Sequence, residues 1–176
     1  EIEKSRSLSV DEKTYFKIIS DKTASLISTC TEIGAAAGSI NGEYRNAMRN
    51  FGENLGLAFQ IRDDLLDFVG KKSITGKPTG GADLKDKKIT LPLIHALEKA
   101  PRTEANAILK IIKNGADRSG AQMVSNFVYE YGGIEYATRK SMEYAENAKD
   151  ILREFPNSPS KQSLSSFVDF VVTRMH

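Results

Sequence analysis

The sequence predicts an all-α helical bundle, and three observations lead there. Apolar residues recur every three to four positions through most of the chain, the interruptions fall at glycine and proline, and no segment alternates as a half-buried strand would. Ser9-Val10-Asp11-Glu12 matches a capping box and opens a periodic segment running to about Ala37, closed by Gly38. Asn41-Gly42 breaks the chain before a second helix, from about Glu43 to Val69, with Gly70 as its stop. At ~1.5 Å per residue that helix is about 40 Å long. Gly70 to Lys87 reads as a loop rich in Gly and Lys. Shorter helices are expected over Lys88–Lys99, Thr103–Asn114, Gly120–Tyr131, Ile134–Phe155 and Ser160–Met175. Pro101, Gly115, Gly132-Gly133 and Pro156-Asn157-Ser158-Pro159 mark the gaps, because proline cannot continue a helix and glycine ends one cheaply.

With 176 residues and 40% hydrophobic content, the chain has the size of one globular domain with a core, taken as 1–176. Its 25 basic and 23 acidic residues nearly cancel, to a net of +2, which gives no case for binding nucleic acid or a membrane surface. Cys30 is the single cysteine, so there is no intramolecular disulfide framework, and a reducing cytoplasm suits the chain. One Cys with His95 and His176 cannot build a zinc site of the usual kind. No apolar stretch approaches the roughly 20 residues that span a bilayer. Glu1-Ile2-Glu3-Lys4 reads like helix interior, and the chain is expected to be part of a longer one.

Gln60, Asp63, Asp64 and Asp67 carry the strongest chemical signal. Steps of three and four put them on one face of the second helix. A core stripe of Tyr44, Met48, Phe51, Leu55, Ala58, Phe59, Leu66 and Val69 lies roughly opposite, with Ile61 and Phe68 flanking the acids. No Lys or Arg lies within the acidic stripe. Two readings stay open: a solvated face, or a site for a divalent cation, for which hard oxygen ligands point to Mg²⁺. In the first helix, Lys22 falls within an apolar stripe of Tyr15, Ile19, Leu26, Cys30, Ile33 and Ala37. A lysine there either snorkels to water or points into a cavity that receives an anion. Arg62 sits on the core side of the second helix, away from the acids, and is expected to make a buried ion pair or an interface contact. Gly52 and Gly56 would admit a close neighbour, whether helix or ligand.

Lys71, Lys72, Lys77, Lys85, Lys87 and Lys88 crowd the loop beside the acids. Lysines on a glycine-containing segment next to carboxylates suit a diphosphate, and a solubilising surface accounts equally for Lys71, Lys72, Lys85 and Lys87. Thr75-Gly76-Lys77 fails as a nucleotide P-loop. Lys71 stands where that motif needs Gly, Pro78 follows the lysine, and a helix precedes the loop instead of a strand.

Gly56-Leu57-Ala58-Phe59-Gln60-Ile61-Arg62-Asp63-Asp64-Leu65-Leu66-Asp67 resembles the second aspartate-rich motif of the trans-isoprenyl diphosphate synthases, the polyprenyl synthetases. The resemblance extends to Lys22-Thr23-Ala24, to Gly76-Lys77-Pro78, and from Asp83 to Lys88-Ile89-Thr90-Leu91-Pro92-Leu93, and so covers essentially the whole chain. Thr90-Leu91-Pro92-Leu93 is more similar to the long-chain enzymes, such as octaprenyl diphosphate synthases, than to the farnesyl ones. The resemblance implies an all-α bundle of the isoprenoid synthase type and a Mg²⁺-dependent condensation of an allylic diphosphate with isopentenyl diphosphate. It implies Asp63 as direct Mg²⁺ ligand, with Asp64 and Asp67 in the same site or just behind its ligands, and Asp83 as a further member of the metal set. Lys22 and Lys77 are implied to grip the allylic diphosphate, and Thr23 and Gln60 to face the developing allylic cation. Lys88 is implied to complete the closed site with Asp83, and Arg174 to lie near the homoallylic diphosphate.

The sequence departs from the family in having no first aspartate-rich motif. The resemblance therefore implies the C-terminal portion of a synthase that lacks its N-terminal helices, holds half of the metal site and is inactive alone. The implied partners are the missing half, a second copy in a homodimer, and a membrane only through the product. The alternative is a non-catalytic helical subunit that completes a partner synthase, against which stand Lys22, Gln60, Asp63 and Asp67. A terpene cyclase is disfavoured because Asp63-Asp64-Leu65-Leu66-Asp67 is unlike the mixed Asn/Ser/Glu motif of cyclases.

Overall fold

The computed structural model describes residues 11–38, 44–69 and 88–174. In order these form α1 (Glu12–Ile19), a π-helical turn (Ser20–Ala24), α2 (Ser25–Gly38), α3 (Arg45–Val69), α4 (Leu91–Lys99), α5 (Arg102–Lys113), α6 (Arg118–Glu130), α7 (Gly133–Arg153) and α8 (Pro159–Thr173). No strand occurs among the described residues. Local chemistry explains most boundaries. Asp11 accepts the Thr14 N–H at 2.7 Å and caps α1, while Ser9 and Val10 of the expected capping box lie outside the described residues. Asp117 caps α6 through the Gly120 N–H at 2.7 Å, and Ser158 caps α8 through the Lys161 N–H at 3.1 Å. Gly115 and Gly132, with φ of 80° and 69°, take the left-handed conformation that follows α5 and α6.

The chain divides into two compact units, and α1, α3 and α7 contribute residues to both. One unit gathers Phe16–Arg62 and Arg139–Arg174. Its core is Phe51, Leu55 and Ala58 of α3, Ala145, Ala148 and Leu152 of α7, and Val168 and Val171 of α8. α2 packs on α3 at very short range. A Cβ at Gly56 would lie 2.5 Å from Ala24 Cα, and one at Gly52 would lie 2.7 Å from Ser28 Cα. Close approach lets side chains reach across to backbone carbonyls: the Ser28 hydroxyl donates to Arg49 O at 2.9 Å and that of Thr31 to Met48 O at 2.6 Å. On the α7 side, the buried Ser141 hydroxyl donates to Ala58 O at 3.0 Å. Gly52 and Gly56 thus serve helix packing.

The other unit holds the start of α1, the end of α3, α4 to α6 and the first turns of α7. Leu91, Leu93 and Ile94 of α4, Ile108 and Ile112 of α5, and Val124, Phe127 and Val128 of α6 are buried there. His95 stacks on Tyr136 at 3.9 Å between ring centroids, and the Tyr136 hydroxyl donates to the Glu12 carboxylate at 2.8 Å. Gly133, where α7 starts, lies against the backbone of Pro92: a Cβ there would come within 2.9 Å of Pro92 C and 3.0 Å of Val128 Cγ1. Gly133→Ala is therefore expected to cost about 2 kcal/mol, because the obstacle is main chain that cannot swing aside. Urea unfolding is the check, and an unchanged midpoint would contradict the packing.

Burial follows the expected helical period only through the first turns of the first helical segment. Tyr15 and Ile19 are buried as expected, but the buried positions that follow are Ala24 and Ser28, not Leu26 and Cys30. The Ser25 N–H donates to Ser20 O, a five-residue step that winds an extra residue into the turn. Everything beyond it is rotated by about 100° relative to a continuous α-helix. Leu26 and Ile33 are consequently 67% and 61% exposed, and Ala37 is also exposed.

α3 also departs from the expected two-faced helix. Ile61, Asp64, Leu65 and Phe68 are buried together with Phe51, Leu55 and Ala58, whereas Leu66 is only half-buried. These four recur at steps of three and four, so the buried face of the second half runs through Ile61, Asp64, Leu65 and Phe68 and includes an acid, while Asp63 on another side is exposed.

Candidate functional site

The π-helical turn carries Lys22 and Thr23. Such a turn widens the helix locally and releases backbone groups from the regular ladder, which suits a functional position. Its contacts with α3 are polar: Ser20 Oγ donates to Glu53 Oε1 at 3.2 Å, and Thr23 Oγ1 donates to Gln60 Oε1 at 2.8 Å. The structure thus brings together Thr23 and Gln60, two of the residues singled out from sequence, across 37 positions of chain. Lys22 is exposed, not set in an apolar face, because the π turn rotates it out of the Tyr15–Ile19 stripe. A charged ammonium there carries no burial penalty and remains on the surface of the turn.

Gln60 shares α3 with the three aspartates, which differ from one another. Asp63 is exposed and Asp67 half-buried, one helical turn apart, so both keep carboxylate oxygens within reach of solvent. Asp64 is 2% exposed and points elsewhere. Its Oδ2 accepts the Tyr15 hydroxyl at 2.7 Å and its Oδ1 the Lys88 ammonium at 3.1 Å. The expectation that Asp64 acts with Asp63 and Asp67 on one open polar face is corrected in this respect. Successive residues diverge by about 100° on a helix, and Lys88 arrives from 24 positions downstream to neutralise the buried acid.

Among the described residues no group of three or more His, Cys, Asp or Glu side chains converges to hold a metal ion. What α3 offers is a pair of carboxylates, Asp63 and Asp67, that could hold a metal. That donor set fits Mg²⁺, which is commonly held by one or two carboxylates while waters and phosphate oxygens complete its octahedron. Lys77 and Asp83, also expected at the centre, lie outside the described residues with the rest of 70–87.

Among the described residues Arg62 makes no ion pair with a carboxylate. Its Nε and Nη2 donate to the carbonyl oxygen of Arg174, at 3.1 and 2.7 Å, satisfying a group that the end of α8 leaves open. Burial, then the charge of Arg174, lowers the Arg62 pKa from its ordinary value. The Arg174 guanidinium in turn lies over the Phe59 ring, 4.2 Å from its centroid.

Sequence reasoning assigned Tyr15 to the apolar core and missed its hydroxyl contact, since a tyrosine in an apolar stripe gives no local sign of a polar partner 49 residues away. Glu53 was missed for the same reason. A cavity of about 360 Å³ between α2, α3, α7 and α8 is lined by Ala35, Met48, Leu152, Phe155 and Leu164 among others. None of the candidate site residues lines it. No helix among the described residues is long and apolar enough to cross a membrane.

A profile of the polyprenyl synthetase family matches residues 1–129. Among curated proteins, a short chain isoprenyl diphosphate synthase of Methanothermobacter thermautotrophicus is 34% identical over 169 residues, covering 96% of this chain and 51% of that protein. An octaprenyl diphosphate synthase of Haemophilus influenzae is 32% identical over 163 residues, covering 93% and 49%. Among solved structures, a geranylgeranyl pyrophosphate synthase from Bacteroides thetaiotaomicron superimposes with a TM-score of 0.87 at 33% identity, covering 98% of this chain and 57% of that one. The chain spans about half the length of the curated relatives it matches. The expected all-α isoprenoid synthase fold is that of its structural neighbours.

Proposed function

This chain belongs to the polyprenyl synthetase family, and from that premise we propose that it is the C-terminal portion of a prenyl diphosphate synthase. The proposed reaction joins an allylic polyprenyl diphosphate to isopentenyl diphosphate by ionisation, condensation and proton loss. The observation that carries this reading is the 2.8 Å bond from Thr23 to Gln60, on a helix that continues into Asp63 and Asp67. An allylic cation needs fixed dipoles and no free water, and the hydrogen bond holds both side chains in one orientation. Thr23 and Gln60 are assigned to that task. The carboxylates of Asp63 and Asp67 would hold Mg²⁺, with Asp83 as the proposed contributor from the loop. When bound, Mg²⁺ supplies Lewis-acid neutralisation of the departing diphosphate. Lys22, Lys77 and Lys88 bind the diphosphate oxygens by charge-assisted hydrogen bonds, and Arg174 is placed at the homoallylic diphosphate.

Thr90-Leu91-Pro92-Leu93 supports a long-chain product, and octaprenyl synthases are among the relatives. We further propose that the isolated chain is inactive, that the missing half completes it and that the whole works as a cytoplasmic homodimer; the coverage of about half of each relative bears on the first two points alone. A non-catalytic subunit finds no support in relatives that are themselves named as synthases. The test is Mg²⁺-dependent binding of a bisphosphonate to the full-length protein. Asp63→Ala is expected to weaken it on the order of 100-fold, since the ligand is held through the metal. Unchanged binding would overturn the assignment.

A further inference from the structure

Asp64 stands apart from the two aspartates beside it. At 2% exposure it is buried as deeply as core apolar residues, and each carboxylate oxygen accepts a hydrogen bond: Oδ2 from the Tyr15 hydroxyl at 2.7 Å and Oδ1 from the Lys88 ammonium at 3.1 Å. Tyr15 is itself buried, at 3% exposure, whereas the Lys88 side chain is 40% exposed. The triad therefore runs from the interior outwards, from phenol to carboxylate to ammonium. A buried carboxylate demands compensation, and the phenol supplies a fixed donor that selects one orientation of the carboxyl group. With Oδ2 so engaged, Oδ1 faces the ammonium, and the flexible lysine stem gains a fixed anchor close to its charged end.

We infer that Tyr15 is a positioning residue that acts through Asp64 on Lys88, and that Asp64 serves this relay and is not a ligand of the metal. The inference rests on the diphosphate-binding role proposed above for Lys88. It also assigns the three aspartates different tasks: Asp63 and Asp67 face the cation, and Asp64 aims a lysine at the anion. Tyr15→Phe removes a single oxygen while preserving the packing of the ring, so Asp64 loses the donor on Oδ2 and holds Lys88 less firmly in its aim.

The experiment uses the full-length protein, with inorganic pyrophosphate titrated calorimetrically in the presence of Mg²⁺, and Mn²⁺ affinity measured separately by electron paramagnetic resonance. Tyr15→Phe and Asp64→Asn are each expected to weaken pyrophosphate binding roughly tenfold, the worth of one hydrogen bond to a charged group. Mn²⁺ affinity should stay as in the wild type, whereas Asp63→Asn lowers it. In a Lys88→Ala background, Tyr15→Phe should add nothing, because its effect passes through that ammonium. A merely structural role would instead give the same loss in both backgrounds and would overturn the inference. So would unchanged pyrophosphate binding in both variants, or a loss of Mn²⁺ affinity in Asp64→Asn equal to that in Asp63→Asn. If Tyr15→Phe does not fold, Asp64→Asn decides alone by the same comparison. Failure of the wild type to bind pyrophosphate would defeat the functional reading itself, and this inference with it.

Discussion

Replacing Gly56 with valine is expected to lower stability by about 3 kcal/mol and to separate Thr23 from Gln60, because the added atoms would enter main chain. Even a single Cβ at position 56 would stand 2.5 Å from Ala24 Cα and 2.8 Å from Ala24 Cβ. Ala24 is fully buried and ends the π-helical turn, so relief requires the turn to lift from α3. Thr23 immediately precedes it, and its 2.8 Å bond to Gln60 cannot survive a shift of an ångström or more. Stability and ligand binding should therefore fall together. Gly56→Ala provides the graded version, with a smaller loss of both. The checks are the urea midpoint and the bisphosphonate affinity of the full-length protein; wild-type values for Gly56→Val would show that the helices are not seated as described.

Phe51→Ala is expected to have an effect of comparable size but a different character. Phe51 is fully buried in the core that α3 shares with Ala145, Ala148 and Leu152 of α7 and Val168 and Val171 of α8. Truncating it removes the ring and leaves a cavity that small neighbours such as Ala145 and Ala148 cannot fill. The cost is about 3–5 kcal/mol, a large share of the ~5–15 kcal/mol that keeps a domain folded. In contrast to the Gly56 variants, the backbone at Ala24 meets no new atom. Ligand affinity measured well below the unfolding transition should thus change far less than stability. Equal losses in both would mean that the core and the Thr23–Gln60 pair are not separable.

Helix boundaries were legible where a cause lay within a few residues. Pro101 precedes α5, the Pro156–Pro159 segment precedes α8, and Gly115 and Gly132 provide left-handed stops, whereas the Asp117 cap that starts α6 at Arg118 was not read and Gly120 was expected there instead. Each of these effects acts through the local backbone, so the sequence carries it directly. The faces of the helices were less legible. Burial of Tyr15 and Ile19 followed from spacing, but the π-helical turn broke the count before Leu26 and Cys30. No local residue pattern announces that turn. It coincides with the short-range seating of Ala24 on Gly56 and the polar contacts to Glu53 and Gln60, all formed with another helix.

The sequence by itself determined an all-α chain of the polyprenyl synthetase family and singled out Lys22, Thr23, Gln60, Asp63, Asp64 and Asp67. Residue type and spacing suffice for that, because helical propensity, capping and an ordered set of motifs are properties of neighbours along the chain. The tertiary structure alone decided what each of these residues does with its side chain. It turned Lys22 outward, paired Thr23 with Gln60, and drew Asp64 away from its neighbours towards Tyr15 and Lys88. Those outcomes depend on partners 24 to 49 positions distant, and on the balance between burying a carboxylate and satisfying it. That balance is struck only once the helices have packed.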